Sequence, residues 1–473
     1  MLRKCKIAVN LLSKLKGSRR GSFEIDMTHG PLLGKIVRFA IPLAISGILQ
    51  LLFNAADIIV VGQFVGPSAL AAVGSTSALI NLIVNLFIGL SVGTNVLVAQ
   101  YYGAGDTKAL RESVHTSILA SLIFGCLVLV IGVSLAAPML ELMGTPAEVL
   151  DQACLYMRIY FIGMPASMLY NFGAAILRAV GDTQRPLYFL FLAGVVNVVL
   201  NLFCVIVLGM GVEGVAIPTV ISQCVSAGLV LLCLVKAHTA YQVDLKSLCL
   251  KKDKLWGMAR IGLPAGIQGC SFSISNVLIQ SSINSFGSLA MAGNTAAVNI
   301  EGFVSTAQDA FAQAALSFTG QNVGAGKLKR VHRVLPLCIL LELCVGLLLG
   351  VGAYLLGPQL LGIYSTDPEV IAFGMIRMGI CCVFQCIGGL MGVMVGVLRG
   401  MGYSLVPMAI TIGFVCGFRV IWIFTIFVGW HTLESLYVSY PITWGLAALC
   451  DGICFFVVNK HLKKKLALAK EKA

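Results

Sequence analysis

The sequence predicts an all-α integral membrane protein, with twelve transmembrane helices arranged as two pseudo-symmetric six-helix bundles related by a parallel repeat. Three observations carry that expectation. The 473 residues are 58% hydrophobic and only 11% charged, a balance that ordinary soluble domains do not reach. Motifs of the first half return in the second at a spacing of 221 or 222 residues. Basic residues gather in alternate connections only.

The spans come first. About 20 predominantly apolar residues cross roughly 30 Å of hydrocarbon, and mean hydropathy is +0.94. Twelve such runs are placed at about 39–61, 70–98, 113–136, 155–177, 187–208, 214–236, 258–284, 292–319, 334–356, 371–397, 405–428 and 437–458. Helix is the form expected for each, because lipid leaves every backbone group in need of an internal partner.

Charge orients them. Lys and Arg cluster before Arg38, at Lys108/Arg111, Arg178/Arg185, Lys236 to Arg260, Lys327 to Arg333, Arg399 and Lys460 to Lys472. Only Arg158, Arg377 and Arg419 stand apart. The intervening connections carry Glu141, Glu148, Asp151, Glu213, Asp367, Glu369 and Glu434, with no Lys or Arg. This is the positive-inside pattern, with both termini cytoplasmic. The net charge of +13 therefore reflects topology and contact with anionic lipid; no nucleic-acid partner is expected.

The repeat divides the chain. Arg38, Pro42, Gly47 and Asn54 of the first span return as Arg260, Pro264, Gly269 and Asn276 of the seventh. Gln100 with Gly103-Ala104-Gly105 returns as Gln321 with Gly324-Ala325-Gly326, and Leu177-Arg178 with Gly181 and Pro186 returns as Leu398-Arg399 with Gly402 and Pro407. Six spans per copy is an even number, so both copies insert in the same orientation about an axis along the membrane normal. The expected organisation is a cytoplasmic tail over 1–38, an N-lobe over 39–236, a basic linker over 237–257, a C-lobe over 258–458 and a basic tail over 459–473. Residues 1–25 lack the apolar core of a secretory signal. The 16 cysteines fall mostly inside apolar runs, where Cys acts as a small hydrophobe, so neither a disulfide framework nor a metal site is expected.

One residue breaks the repeat. Asp57 sits inside the first span, and its counterpart 222 residues on is Ile279. The fold therefore does not need an acid there. An acid in hydrocarbon costs several kcal/mol and is functional by default; the bland alternative is a helix-end residue reaching the headgroups. Asn197 and Asn201 lie four apart on the fifth span, on one face. Counting residues from the span ends puts them, and Thr219 of the sixth span, at about the depth of Asp57. Each taken alone reads as a packing hydrogen bond, and the case rests on four polar groups in one layer. A carboxylate there, facing the bundle interior, would bind and release a proton.

The C-lobe has its own charges: Glu301 and Asp309 in the eighth span, Glu342 in the ninth, Arg419 in the eleventh and Asp451 in the twelfth. Arg419 needs a counter-charge in hydrocarbon. Glu301 is the first expectation for it and Asp309 the second, as a structural ion pair or as part of a second site.

In order along the chain, the Arg-Phe-Ala-Ile-Pro opening, the Asn-Ala-Ala-Asp segment ending at Asp57, the Gln-x-x-Gly-Ala-Gly turns and the Leu-Arg-x-x-Gly-x-x-x-x-Pro turns resemble the multidrug and toxic-compound extrusion (MATE) family over roughly residues 28 to 460. The resemblance implies a two-lobed antiporter that exports amphipathic, often cationic, organic compounds in exchange for inward H⁺ or Na⁺. It implies an ion-coupling layer in the N-lobe, onto which Asp57, Asn197, Asn201 and Thr219 map. The family's proton-coupled branch has an Asp at the position of Asn201, so Asp57 stands here as the only acid of that layer. The sodium-coupled branch carries a Glu in the middle of the seventh helix, where this chain has Phe272, Ser273, Ser275 and Asn276.

Other classes fit less well. A lipid-linked precursor flippase of the same superfamily would have a more basic central cavity and often extra helices. A membrane enzyme would need a catalytic constellation, and the six histidines are scattered. There is no GxxxxGK[ST] loop for a nucleotide-driven pump. The expected partners are small organic substrates and the lipid bilayer. The chain is expected to act as a monomer, with no cofactor beyond the coupling ion.

Overall fold

The computed structural model describes residues 23–471; the tail before residue 23 lies outside the described residues. The described chain is built from twelve long helical elements. In chain order they are α1 (Leu33–Val65), α2 (Pro67–Ala104), α3 (Thr107–Leu142), α4 (Ala147–Ile162 and Met164–Val180), α5 (Gln184–Val207) and α6 (Glu213–Val235). The second lobe contains α7 (Lys252–Asn284), α8 (Ser288–Gly324), α9 (Leu328–Leu355), α10 (Pro368–Cys382 and Gln385–Gly400), α11 (Leu405–Phe427) and α12 (Leu433–Glu471).

Most helices outrun the apolar stretches that locate them, because their polar end turns lie beyond the hydrocarbon. Two of them bend. The halves of α4 meet at 46° across Gly163, and those of α10 at 41° across Val383 and Phe384. Gly163 and Phe384 are 221 residues apart, so the bend is a property of the repeat; proline follows it only in α4, as Pro165. By contrast α1 runs unbroken through Pro42. Eight helices and the two bent pairs are long and apolar enough to cross a membrane. The remaining two, α7 and α8, carry many polar side chains, several of which line a cavity in the C-lobe.

The lobes interlock through α1 and α7. The first half of α1 leaves its own lobe: Ile36, Phe39 and Ala40 pack in a core with Ala310, Phe311, Ala314 and Phe318 of α8. Phe39 meets Phe318 edge to face at 5.6 Å. Reciprocally, the first half of α7 packs on α2 of the N-lobe. A Cβ added to Gly89 would come within 2.3 Å of the Gly266 backbone nitrogen, so only glycine permits that approach. Farther along, each helix returns to its own lobe. Phe53 of α1 lies against Gly194 of α5, and Gln268 of α7 donates to Thr411 of α11 at 2.9 Å.

The ends of α2 and α8 that lead into basic connections also meet. A Cβ on Gly103 would lie 2.0 Å from the Gln321 carbonyl oxygen, and one on Gly324 would lie 1.9 Å from that of Gln100. The repeat thus packs against itself at this basic face. The segment before α1 crosses the same face. Glu24 accepts from Tyr241 and Tyr102 of the N-lobe at 2.6 and 3.1 Å. On the other lobe, Arg330 donates to the carbonyls of Met27, His29 and Gly30 at 3.1, 2.9 and 2.8 Å. Burial, and then the charge of Glu24, hold the Tyr241 hydroxyl well above its ordinary range, so it stays a donor.

Candidate functional site

The N-lobe polar layer is assembled from three helices. Asn201 and Asn197, one turn apart on α5, are both buried. Asn201 Nδ2 donates to Asp57 Oδ1 of α1 and, at 3.3 Å, to Asn197 Oδ1. Asn197 Nδ2 in turn reaches Thr219 Oγ1 of α6 at 3.3 Å, and that hydroxyl donates to the Val215 carbonyl at 2.9 Å. All four residues picked out by depth therefore join one hydrogen-bonded chain ending on a carboxylate. The helices widen just beyond it: α1 ends in a π-helical turn at Val61–Val65 and α5 in another at Phe203–Val207. Such turns recur at functional sites.

The C-lobe holds a cavity of about 610 Å³ lined by α7, α8, α10, α11 and α12. Its polar wall comes from the unusually polar α7 and α8, including Asn276, Gln280, Asn294, Glu301, Gln308 and Asp309. Glu301, Asp309 and Arg419 all line it, but the pairing expected for Arg419 does not form. Glu301 instead accepts two hydrogen bonds from Arg377 of α10, Oε1 from Nε at 2.9 Å and Oε2 from Nη2 at 2.8 Å. Arg377 also donates to Asn294 at 2.9 Å, so each of its three nitrogens makes a hydrogen bond, the geometry in which a buried ion pair holds. The position of Arg377 outside the basic clusters is the signal in the sequence that sets it apart.

Arg419 takes a different environment. Its guanidinium lies 4.0 Å from the Tyr440 ring centre and 5.9 Å from that of Trp444, and its Nε donates to Thr443 Oγ1 at 3.1 Å. Asp309, the second expectation, forms no ion pair among the described residues. Glu342 is fully buried behind the cavity wall, so close to Gly389 that any Cβ there would strike its carboxylate. Asp451 of α12 is fully buried as well.

A repeat-built, two-lobed membrane fold with a hydrogen-bonded carboxylate layer in one lobe and a charged cavity in the other defines a multi-pass transporter of small molecules. The MatE family model matches twice, over residues 42–203 and 264–424, once in each lobe. The chain belongs to the MatE family. Among curated proteins it is 29% identical to the probable multidrug resistance protein YoeA of Bacillus subtilis (strain 168), with 87% of this chain and 90% of that protein covered. It is 27% identical to the probable multidrug resistance protein YpnP of the same strain, covering 80% and 85%. Among solved structures it is similar to a multidrug resistance MATE family transporter of the MOP superfamily in an outward-facing conformation. That likeness has a TM-score of 0.87 and 25% identity, and covers 94% of this chain and 100% of the other.

Proposed function

We propose that the protein is a secondary antiporter that exports amphipathic organic compounds, cationic ones among them, in exchange for an inward-moving ion, with Asp57 as the coupling carboxylate. The observation that carries this reading is the chain Thr219–Asn197–Asn201–Asp57 in one lobe only. The repeat counterparts of Asp57, Asn197 and Asn201 are Ile279, Phe418 and Trp422, so the layer is dispensable for the fold.

Alternating access needs two arrangements of the lobes that ion and substrate favour differently. With the basic face cytoplasmic, as the charge pattern supports, the interlocked ends of α2 and α8 close the inner side, which makes this the outward-facing arrangement. Protonation removes the charge of Asp57 and with it the charge-assisted bond from Asn201. The outer half of α1 is then freed from α5, while its inner half stays anchored on α8. The protein works as a monomer in the bilayer, both termini cytoplasmic, with the coupling ion as its sole inorganic partner.

The test is export of ethidium from cells or vesicles, driven separately by a pH gradient and a Na⁺ gradient, for wild type and Asp57→Asn. Loss of coupled export under one gradient supports the reading and names the ion. Full coupled export by the variant removes Asp57 from the mechanism.

A further inference from the structure

Four charged side chains line the C-lobe cavity, and two of them cancel. Arg377 and Glu301 satisfy each other through two hydrogen bonds. Arg419 and Asp309 do not. Arg419 is 2% exposed, too little for water to solvate it. After the bond from Nε to Thr443, its Nη1 and Nη2 donate to no described residue, and Nη2 is buried. The faces of Tyr440 and Trp444 hold the cation but offer no lone pair for those N–H groups. Asp309 projects into the cavity, exposed to it, with neither a hydrogen bond nor an ion pair to any described residue.

The two unmatched charges do not pair with each other. Arg419 and Arg377 share the Tyr440 ring, at 4.0 and 5.2 Å from its centre, so Arg419 lies beside the Arg377–Glu301 pair. Asp309 follows Glu301 by eight residues on α8, about 12 Å along the axis. It therefore lies two turns nearer the basic face. Glu342, behind Gly389, adds a second carboxylate near Gln308, the residue before Asp309 on α8. The cavity wall also carries apolar and aromatic side chains, among them Phe272, Ile279, Met391 and Trp444.

We propose that this cavity binds a zwitterionic amphiphile, its acidic group on Arg419 and its basic group on Asp309. A simple cation would leave Arg419 bare and meet its repulsion; a simple anion would leave Asp309 unmatched. A molecule carrying both charges supplies the acceptor that Arg419 lacks and the cation that Asp309 lacks. The proposal rests on the transport reading above and names a substrate class for it.

The test uses three dyes on one skeleton: a rhodamine in its free-acid form (a xanthylium cation with a benzoate), its methyl ester (cation only) and fluorescein (anion). Binding to detergent-purified full-length protein is read by fluorescence polarisation. Wild type is expected to bind the free acid about tenfold more tightly than the ester, the scale of a charge-assisted hydrogen bond. Arg419→Gln should erase that preference, and Arg419→Lys should keep part of it. Asp309→Asn should weaken both rhodamines and should not weaken fluorescein. Equal or tighter binding of the ester by wild type, a preference that survives Arg419→Gln, or binding of none of the dyes overturns the proposal. Should Arg419→Gln fail to fold, the wild-type comparison and Asp309→Asn still decide. Gradient-driven ethidium export by wild type, measured in parallel, separates the outcomes: if export persists while the dye preference is absent, only the C-lobe assignment falls.

Discussion

Gln100 and Gln321, 221 residues apart in equivalent positions of the repeat, each reach across the lobe boundary to equivalent acceptors. Gln100 Nε2 donates to the Gly400 carbonyl at 3.0 Å, and Gln321 Nε2 to the Ala179 carbonyl at 2.7 Å. Gly400 is itself the repeat counterpart of Ala179. The basic face is thus closed by a crossed pair of identical hydrogen bonds, the arrangement that a parallel two-fold repeat produces on its own axis. Replacing both glutamines by alanine removes about 1 kcal/mol of net stabilisation per bond, enough to shift a two-state equilibrium roughly 30-fold. In a cysteine-depleted background, a cysteine introduced at Ser317 should then label faster from the basic face. An unchanged labelling rate would show that these bonds do not hold the closure.

Closure also depends on Gly103 and Gly324, where a side chain would enter the opposing backbone. Gly103→Val should cost about 1–3 kcal/mol as overpacking, and only in the arrangement closed at the basic face. Expression and membrane insertion should survive while export falls severalfold, with the same Ser317 labelling site held open. Wild-type export by this variant would mean that the close approach of α2 and α8 is not on the transport cycle.

Much of this architecture was legible, for an identifiable reason. Repeat spacing, span length and alternating charge are one-dimensional signals, and they suffice for twelve helices in two parallel lobes. Depth is one-dimensional too, which is why counting residues from span ends grouped Asp57, Asn197, Asn201 and Thr219. Azimuth is not. Whether Arg419 or Arg377 faces Glu301 depends on the rotation of α10 and α11 about their axes, and counting from span ends carries no such information. The exchange of α1 and α7 between lobes was hidden likewise. Its trace is a run of small residues, Ala40, Gly89, Gly93, Gly262, Gly266, Ala310 and Ala314, which reads as ordinary close packing until the partners are known.

In the N-lobe layer, Asn201 is the group that ties the acid of α1 to α5. Asn201→Ala leaves Asp57 without that donor and cuts it off from Asn197 and Thr219. A lost hydrogen bond to a charged group is worth about 1.5–3 kcal/mol, so coupled export should fall by about tenfold or more at equal protein level. Initial rates under an imposed pH gradient are the measure. A variant as active as wild type would reduce the network to a packing role.

The two C-lobe arginines should part company when their surroundings are altered. Arg377 is 4% exposed and matched by Glu301, so Glu301→Gln leaves a buried guanidinium without its counter-ion, a change that costs about 3–5 kcal/mol. The detergent-solubilised variant should melt well below wild type. Removing both charges, as Glu301→Gln with Arg377→Met, should recover most of the loss, because an apolar replacement of a whole buried pair is often neutral. Arg419 has no counter-ion to strand. Arg419→Gln should therefore lower the melting temperature far less than Glu301→Gln, since it removes an unmatched charge and keeps a donor for Thr443. A melting loss for Arg419→Gln as large as that for Glu301→Gln would make Arg419 a structural group on the same footing as Arg377. A small loss, with Glu301→Gln strongly destabilised, marks Arg377 as the residue that holds the lobe together and leaves the charge of Arg419 available to a ligand.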